Sequence, residues 1–160
     1  MELIWYGTAA LVLREGDTAV AFDPFCGLPG FSRSEKTGPC WEELRSVEDV
    51  FITHGHFDHM YHIPMLYRDA PLKLRCTKTP KQTLVRRGIP PEQIRVIRPG
   101  VREEVGPFTV TAYQSRHCKF DLPLIGRTVF RKRFWRHPVH LFHLARAYLQ
   151  HPENGEILFY

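Results

Sequence analysis

His54-Gly55-His56-Phe57-Asp58-His59 sets three imidazoles and a carboxylate within six residues, all of them good ligands for divalent zinc or iron. Nine His and six Asp scattered at random over 160 residues would give on the order of 0.001 matches to this His-x-His-x-Asp-His pattern, so chance is a poor source for it. Gly55 permits a tight turn. In an extended loop His54 and His56 project to one side and can share one metal, whereas Asp58 and His59 stand where a following helix would begin, which suits a second, neighbouring ion. Two ions about 3.5 to 4 Å apart can bridge a hydroxide, polarise a carbonyl or phosphoryl oxygen and steady a leaving group. The competing reading is a histidine cluster on the surface.

Outward from this loop, Val50-Phe51-Ile52-Thr53 has the composition of a short buried strand running directly into His54. Upstream, Leu3 to Tyr6, Ala10 to Leu13 and Thr18 to Phe22 read as strands, with a turn at Glu15-Gly16-Asp17. Asp23-Pro24 ends the third strand, and Gly27, Pro29, Gly30, Gly38 and Pro39 argue for a loop over 26–40. Downstream, the pattern predicts a helix over 63–67, an extended segment over 72–77, a short helix over 80–87 stopped by Gly88, and a strand over 94–97. Residues 101–105 and 108–114 form the next expected hairpin, around Gly106-Pro107, and deliver His117 just past its end. Both histidine-bearing segments thus follow strands. An amphipathic helix over 139–150, a turn at Asn154-Gly155 and a strand from Glu156 to Tyr160 complete the pattern, the last expected to lack a partner strand.

Composition is that of an ordinary globular chain: 43% hydrophobic, 24% charged and 12% aromatic residues, with no repeat and no low-complexity run. At this length a single domain over 1–160 is expected, with a basic loop and helix over 123–153 as an insertion within it. The N-terminal residues lack the basic flank and apolar run of a secretory signal, and no run of about 18 apolar residues occurs, so a soluble, cytoplasmic protein without membrane contact is the expectation. Cys26, Cys40, Cys76 and Cys118 are too sparse and irregular for a disulfide framework or a paired zinc site and read as reduced thiols. Lys and Arg exceed Asp and Glu by 22 to 17, a weak bias towards anionic partners.

The metal loop resembles the signature of the metallo-β-lactamase superfamily. Trp5-Tyr6-Gly7-Thr8-Ala9, Phe22-Asp23-Pro24-Phe25 and Ser115-Arg116-His117-Cys118 look like the branch of metal-dependent hydrolases related to ascorbate-6-phosphate lactonase. The resemblance implies an α/β fold, a four-layer αββα sandwich, of which this chain would supply the N-terminal half plus a helical insertion. It implies that His54, His56 and His117 hold a first metal and that Asp58 and His59, the residues nearest the chemistry, hold a second. Two Zn2+ per complete site are expected, with Mn2+ or Fe2+ as alternatives. Asp23 would stand behind a ligating imidazole, fixing its tautomer; the other reading of Asp23 is a turn former before Pro24. Family members also carry a bridging Asp and a final His after a later strand. Asp121 is too close to His117 for the bridging role, and His137, His140, His143 and His151 read as solvent-facing residues, so the chain is expected to be truncated.

These residues imply a metal-dependent hydrolase that uses a metal-bound hydroxide on an ester, lactone, amide or phosphodiester. No Gly-x-Ser-x-Gly elbow, Walker-type loop or Gly-x-Gly-x-x-Gly fingerprint supports another chemistry, and Cys118 reads as a packing residue. Arg127, Arg131 and Arg133, among Phe130, Phe134 and Trp135, are candidates for binding an anionic small-molecule substrate; the competing reading is a solvated loop. Two alternatives stay open. One is a catalytically incompetent metal-binding half-domain that acts by association with a partner or its own copy, through an exposed strand edge at Ile157 to Tyr160. The other is a nuclease or phosphodiesterase of the same superfamily, although the basic residues form no recognised nucleic-acid-binding pattern.

Overall fold

The computed structural model describes residues 1–27, 39–116 and 156–160, with Phe142, Arg146 and Leu149. Alternation of apolar and polar residues, broken by tight turns, builds β1 (Glu2–Gly7), β2 (Ala10–Glu15) and β3 (Thr18–Phe22) as an antiparallel meander. The chain then switches to parallel pairing: β4 (Asp49–Phe51) joins β3, β5 (Lys73–Cys76) joins β4, and β6 (Ile94–Val96) joins β5. Parallel neighbours require crossovers, which α2 (Phe57–Met60) and α3 (Ile63–Asp69) supply between β4 and β5, and α4 (Lys78–Arg86) between β5 and β6. The result is one six-stranded sheet in the order β1 to β6.

Because side chains alternate across a strand, β3 and β4 feed two cores. Ala21, Val50 and Ile52 pack on the helix side with Trp41, Leu44, Leu66, Leu74 and Leu84. Val20 and Phe51 point to the opposite face, where Ile97, Phe108, Val110 and Leu158 cover them. That second cover consists of the hairpin β7 (Arg102–Val105) and β8 (Phe108–Thr111), and of the pair β9 (Tyr113–Ser115) and β10 (Ile157–Phe159). Helices, sheet and second strand layer are therefore stacked in the order that the αββα expectation requires.

Three departures from the sequence pattern have local causes. A helix, α1 (Pro39–Leu44), begins where a loop was expected; Pro at its first position suits a helix start, and Trp41 and Leu44 are buried. The strand expected over 108–114 splits at Ala112, so that β8 pairs with β7 while β9 turns to β10. Ile157 to Tyr160 is consequently not an unpaired edge: Leu158 lies opposite Gln114, and its N–H donates to the Thr53 carbonyl at 3.0 Å. Of the helix expected over 139–150, Phe142, Arg146 and Leu149 are described, and all three are helical and exposed.

Gly106 opens the two-residue loop between β7 and β8 with φ +55°, a conformation such hairpins need and L side chains resist. A Cβ there would come within 2.7 Å of Thr18 Cγ2. Gly106→Ala is expected to destabilise the fold by about 1–3 kcal/mol in urea titrations. Adding Thr18→Ala should restore part of that loss; an unchanged deficit in the double variant would show that the clash contributes nothing.

Candidate metal centre

Parallel strands end on a common edge, and the ends of β3 and β4 lie side by side there, with the Asp23 N–H donating to the Phe51 carbonyl at 2.9 Å. Asp23 has φ +45°, in the left-handed region that Asp tolerates better than most residues, and it is buried. Oδ1 accepts the Thr53 N–H at 2.8 Å; Oδ2 accepts the Thr53 hydroxyl at 2.7 Å and faces His59 Nδ1 at 2.8 Å.

These bonds assign the imidazole tautomers. The single hydroxyl proton of Thr53 goes to Asp23, so Thr53 Oγ1 is left to accept from His54 Nδ1, at 2.9 Å. His59 Nδ1 likewise carries a proton for Asp23 Oδ2. Both rings then present an unprotonated Nε2 away from the carboxylate. A metal ligand held this way is fixed in orientation and made more basic. Burial by itself would lower the His59 pKa, but the hydrogen bond and charge of Asp23, with Asp58 adding, outweigh it and the net shift is upward.

The ring nitrogens and the carboxylate of the loop fall into two pairs. His54 Nε2 lies 3.0 Å from His56 Nδ1, and His59 Nε2 lies 3.8 Å from Asp58 Oδ2. Two ligands each about 2.05 Å from a tetrahedral zinc are separated by about 3.3 Å, so each pair spans one edge of a metal's coordination sphere. His54 and His56 are buried rather than spread over the surface, and the His54 and His59 rings stand 4.0 Å apart. Among the described residues no group of three His, Cys, Asp or Glu side chains is placed to hold a metal ion. In chemistry the imidazoles and carboxylate suit a divalent ion, each pair offering two ligands. His117, Asp121, Arg127, Arg131, Arg133, His137, His140, His143, His151 and Cys118 lie outside the described residues. β9, which ends two residues before His117, is linked through β10 to Thr53.

Residues 18–140 match the family described as the β-lactamase superfamily domain, which is more than half of the chain. The chain belongs to the metallo-β-lactamase superfamily. A UPF0173 protein of Pyrococcus abyssi is 23% identical over 124 residues, 78% of this chain and 53% of its own length. A UPF0173 metal-dependent hydrolase of Xanthobacter autotrophicus is 38% identical over 71 residues, 44% of this chain and 27% of that protein. Among solved structures, the metallo hydrolase Igni18 of Ignicoccus hospitalis gives a TM-score of 0.53 at 19% identity, over 74% of this chain and 50% of that one. The Rm3 metallo-β-lactamase gives 0.50 at 19% identity, over 68% and 46%. These structures share the metallo-β-lactamase fold with this chain, which spans about half the length, or less, of the curated relatives it matches. No helix among the described residues is long and apolar enough to cross a membrane.

Two residues beside the site carry roles that the motif did not announce. Thr53 joins Asp23, His54 and His59, and a threonine on the strand end before a ligand loop is the signal for it. His62, fully buried among Phe25, Trp41 and Tyr61, accepts the Cys26 N–H on Nδ1 at 3.3 Å and has no hydrogen-bond partner on Nε2 among the described residues. Burial, and then the Arg87 charge, push its pKa down to about 4.

The sign of the resulting pH dependence follows from proton counting. Between about pH 6.5 and 4 the unfolded chain binds a proton at His62 that the folded chain refuses, so stability falls as the pH drops through this window. The loss reaches on the order of 3 kcal/mol at its lower end and vanishes above it. His62→Gln, which can still accept the Cys26 N–H, should lose less stability than the parent between neutral pH and about pH 4.5 in urea titrations of metal-free protein. Equal acid losses in both would remove His62 as the source.

Proposed function

We propose that this chain carries the metal-holding half of a metal-dependent hydrolase acting on an ester, lactone, amide or phosphodiester. The observation that carries the reading is the convergence of ligand-type side chains, His54 Nε2 with His56 Nδ1 and Asp58 Oδ2 with His59 Nε2, backed by Asp23 and Thr53. His54 and His56, with His117, would hold one ion; Asp58 and His59 would hold another, zinc suiting the imidazole-rich set and Mn2+ or Fe2+ remaining compatible. When bound, the ions supply Lewis acidity and lower the pKa of water. Asp23 keeps both Nε2 lone pairs available by holding protons on the far side of the rings, His59 directly and His54 through Thr53.

Substrate charge is the finer part of the proposal. Along α4 and β6 runs a cavity of about 970 Å³ lined by Lys78, Lys81, Arg86 and Arg98, with Glu156 as the acidic member. Its positive lining, with Arg127, Arg131 and Arg133 as further candidates, supports a phosphorylated lactone or ester over a neutral one. Turnover of a phosphorylated lactone or a phosphodiester should exceed that of an uncharged analogue, fall with ionic strength, and stop on chelation. Turnover surviving complete metal removal would overturn the reading.

A second reading, association with a partner or its own copy, draws on another observation. Leu3, Leu11, Leu13, Phe22, Phe108 and Phe159 line an apolar cavity of about 580 Å³ on the sheet face opposite the helices. Concentration-dependent sedimentation of a metal-loaded but inactive chain would favour it.

A further inference from the structure

We propose that Cys26 and Cys40 form a redox-active dithiol that a hydroperoxide closes into a reversible disulfide. The two sulfurs are 3.0 Å apart, although 14 residues separate them in sequence: one follows the β3 exit and the other lies in the first turn of α1. Bond formation requires an approach of about 1 Å. Both cysteines are half-buried free thiols, open enough for a small oxidant, whereas Cys76 is buried and its thiol is pushed up to about 12. The arrangement meets the requirements of a redox sensor, an accessible thiolate next to a resolving cysteine.

Either sulfur can attack first: Cys40 Sγ donates to Cys26 Sγ across 3.0 Å, so a thiol proton already lies between the pair. The thiolate of the attacking cysteine takes one peroxide oxygen; an S–O bond forms, the O–O bond breaks, and the leaving oxygen takes a proton to depart as water or an alcohol. The second cysteine, giving up its proton, then attacks the sulfenic sulfur. An S–S bond forms, the S–O bond breaks, and the released hydroxide takes a proton to become water. Two thiols lose two electrons and two protons, and the peroxide gains them. The cross-link would tie the segment after Asp23 to α1 directly above His62, whose Nδ1 holds the Cys26 N–H.

The test does not depend on the hydrolase reading. The reduced, chelator-treated chain is exposed to hydrogen peroxide, alkylated, digested with trypsin and mapped by mass spectrometry; Arg33 and Lys36 lie between the two cysteines, so their peptides separate unless bonded. The expected product is a Cys26–Cys40 cross-linked peptide that dithiothreitol reverses, with Cys76 alkylated only after denaturation. In Cys26→Ser and in Cys40→Ser the remaining cysteine should accumulate dimedone-reactive sulfenic acid that the parent, closing to the disulfide, does not. Direct passage of Cys40 to sulfinic acid in the folded parent, or linkage of either cysteine to Cys118 instead, overturns the proposal. Absence of sulfenic labelling in both variants likewise overturns it.

Discussion

His56→Ala should strip the protein of its tightly held metal while leaving the metal-free fold almost unchanged. His56 sits on the loop between β4 and α2, and its Nδ1 is hydrogen-bonded to His54 Nε2 at 3.0 Å. Removing it leaves His54 still anchored to Thr53 and Asp23 still bonded to His59. The loss in metal affinity should exceed the roughly 100-fold that removal of a supporting residue costs, because one of the ligating nitrogens itself is gone. Stabilisation by metal is a mass-action effect, worth about 2.7 kcal/mol at 100 times the dissociation constant. Thermal unfolding with and without zinc therefore separates the two contributions. The parent should gain stability on metal addition and the variant should gain almost none. An equal gain in both would remove His56 from the ligand set.

Asp23→Ala should damage both fold and site. Asp23 is the shared acceptor of the Thr53 amide, the Thr53 hydroxyl and His59 Nδ1, and its burial leaves those donors little access to water. Leaving them unpaired costs about 3 kcal/mol or more. The left-handed φ at this position adds strain for alanine that asparagine would tolerate. Asp23→Asn is the informative partner. Its carbonyl can still take the Thr53 amide, but its NH2 cannot accept the proton on His59. We expect most of the stability to return in Asp23→Asn and metal affinity to stay about 10- to 100-fold low. Full recovery of metal affinity in Asp23→Asn would reduce Asp23 to a turn former.

The histidine-rich loop and the strands that carry it were legible in the sequence because their signals are local. Apolar alternation marked β1 to β3, the Val50-Phe51-Ile52 run marked β4, and three histidines with one aspartate marked the candidate donors. What escaped depends on register between distant segments. Thr53 matters because parallel pairing brings the exit of β3 beside the exit of β4, so that one hydroxyl meets Asp23, His54 and His59. The Cys26 and Cys40 sulfurs meet only because α1 returns to the β3 exit, and Gly and Pro density hid α1 itself. β10 gained β9 as a partner through a contact spanning more than 40 residues, which no short-range pattern encodes. His62 follows the motif by three residues, yet burial under Phe25 and Trp41 turns it into a core histidine with a depressed pKa.

The most direct measurement is an anomalous-scattering map, recorded at the zinc absorption edge, from crystals of the zinc-loaded protein. The expected result is a peak between His54 Nε2 and His56 Nδ1, with any second peak between Asp58 and His59. A sole peak at the Cys26 and Cys40 sulfurs, or zinc bound with the His54 and His56 rings turned away from it, would contradict it.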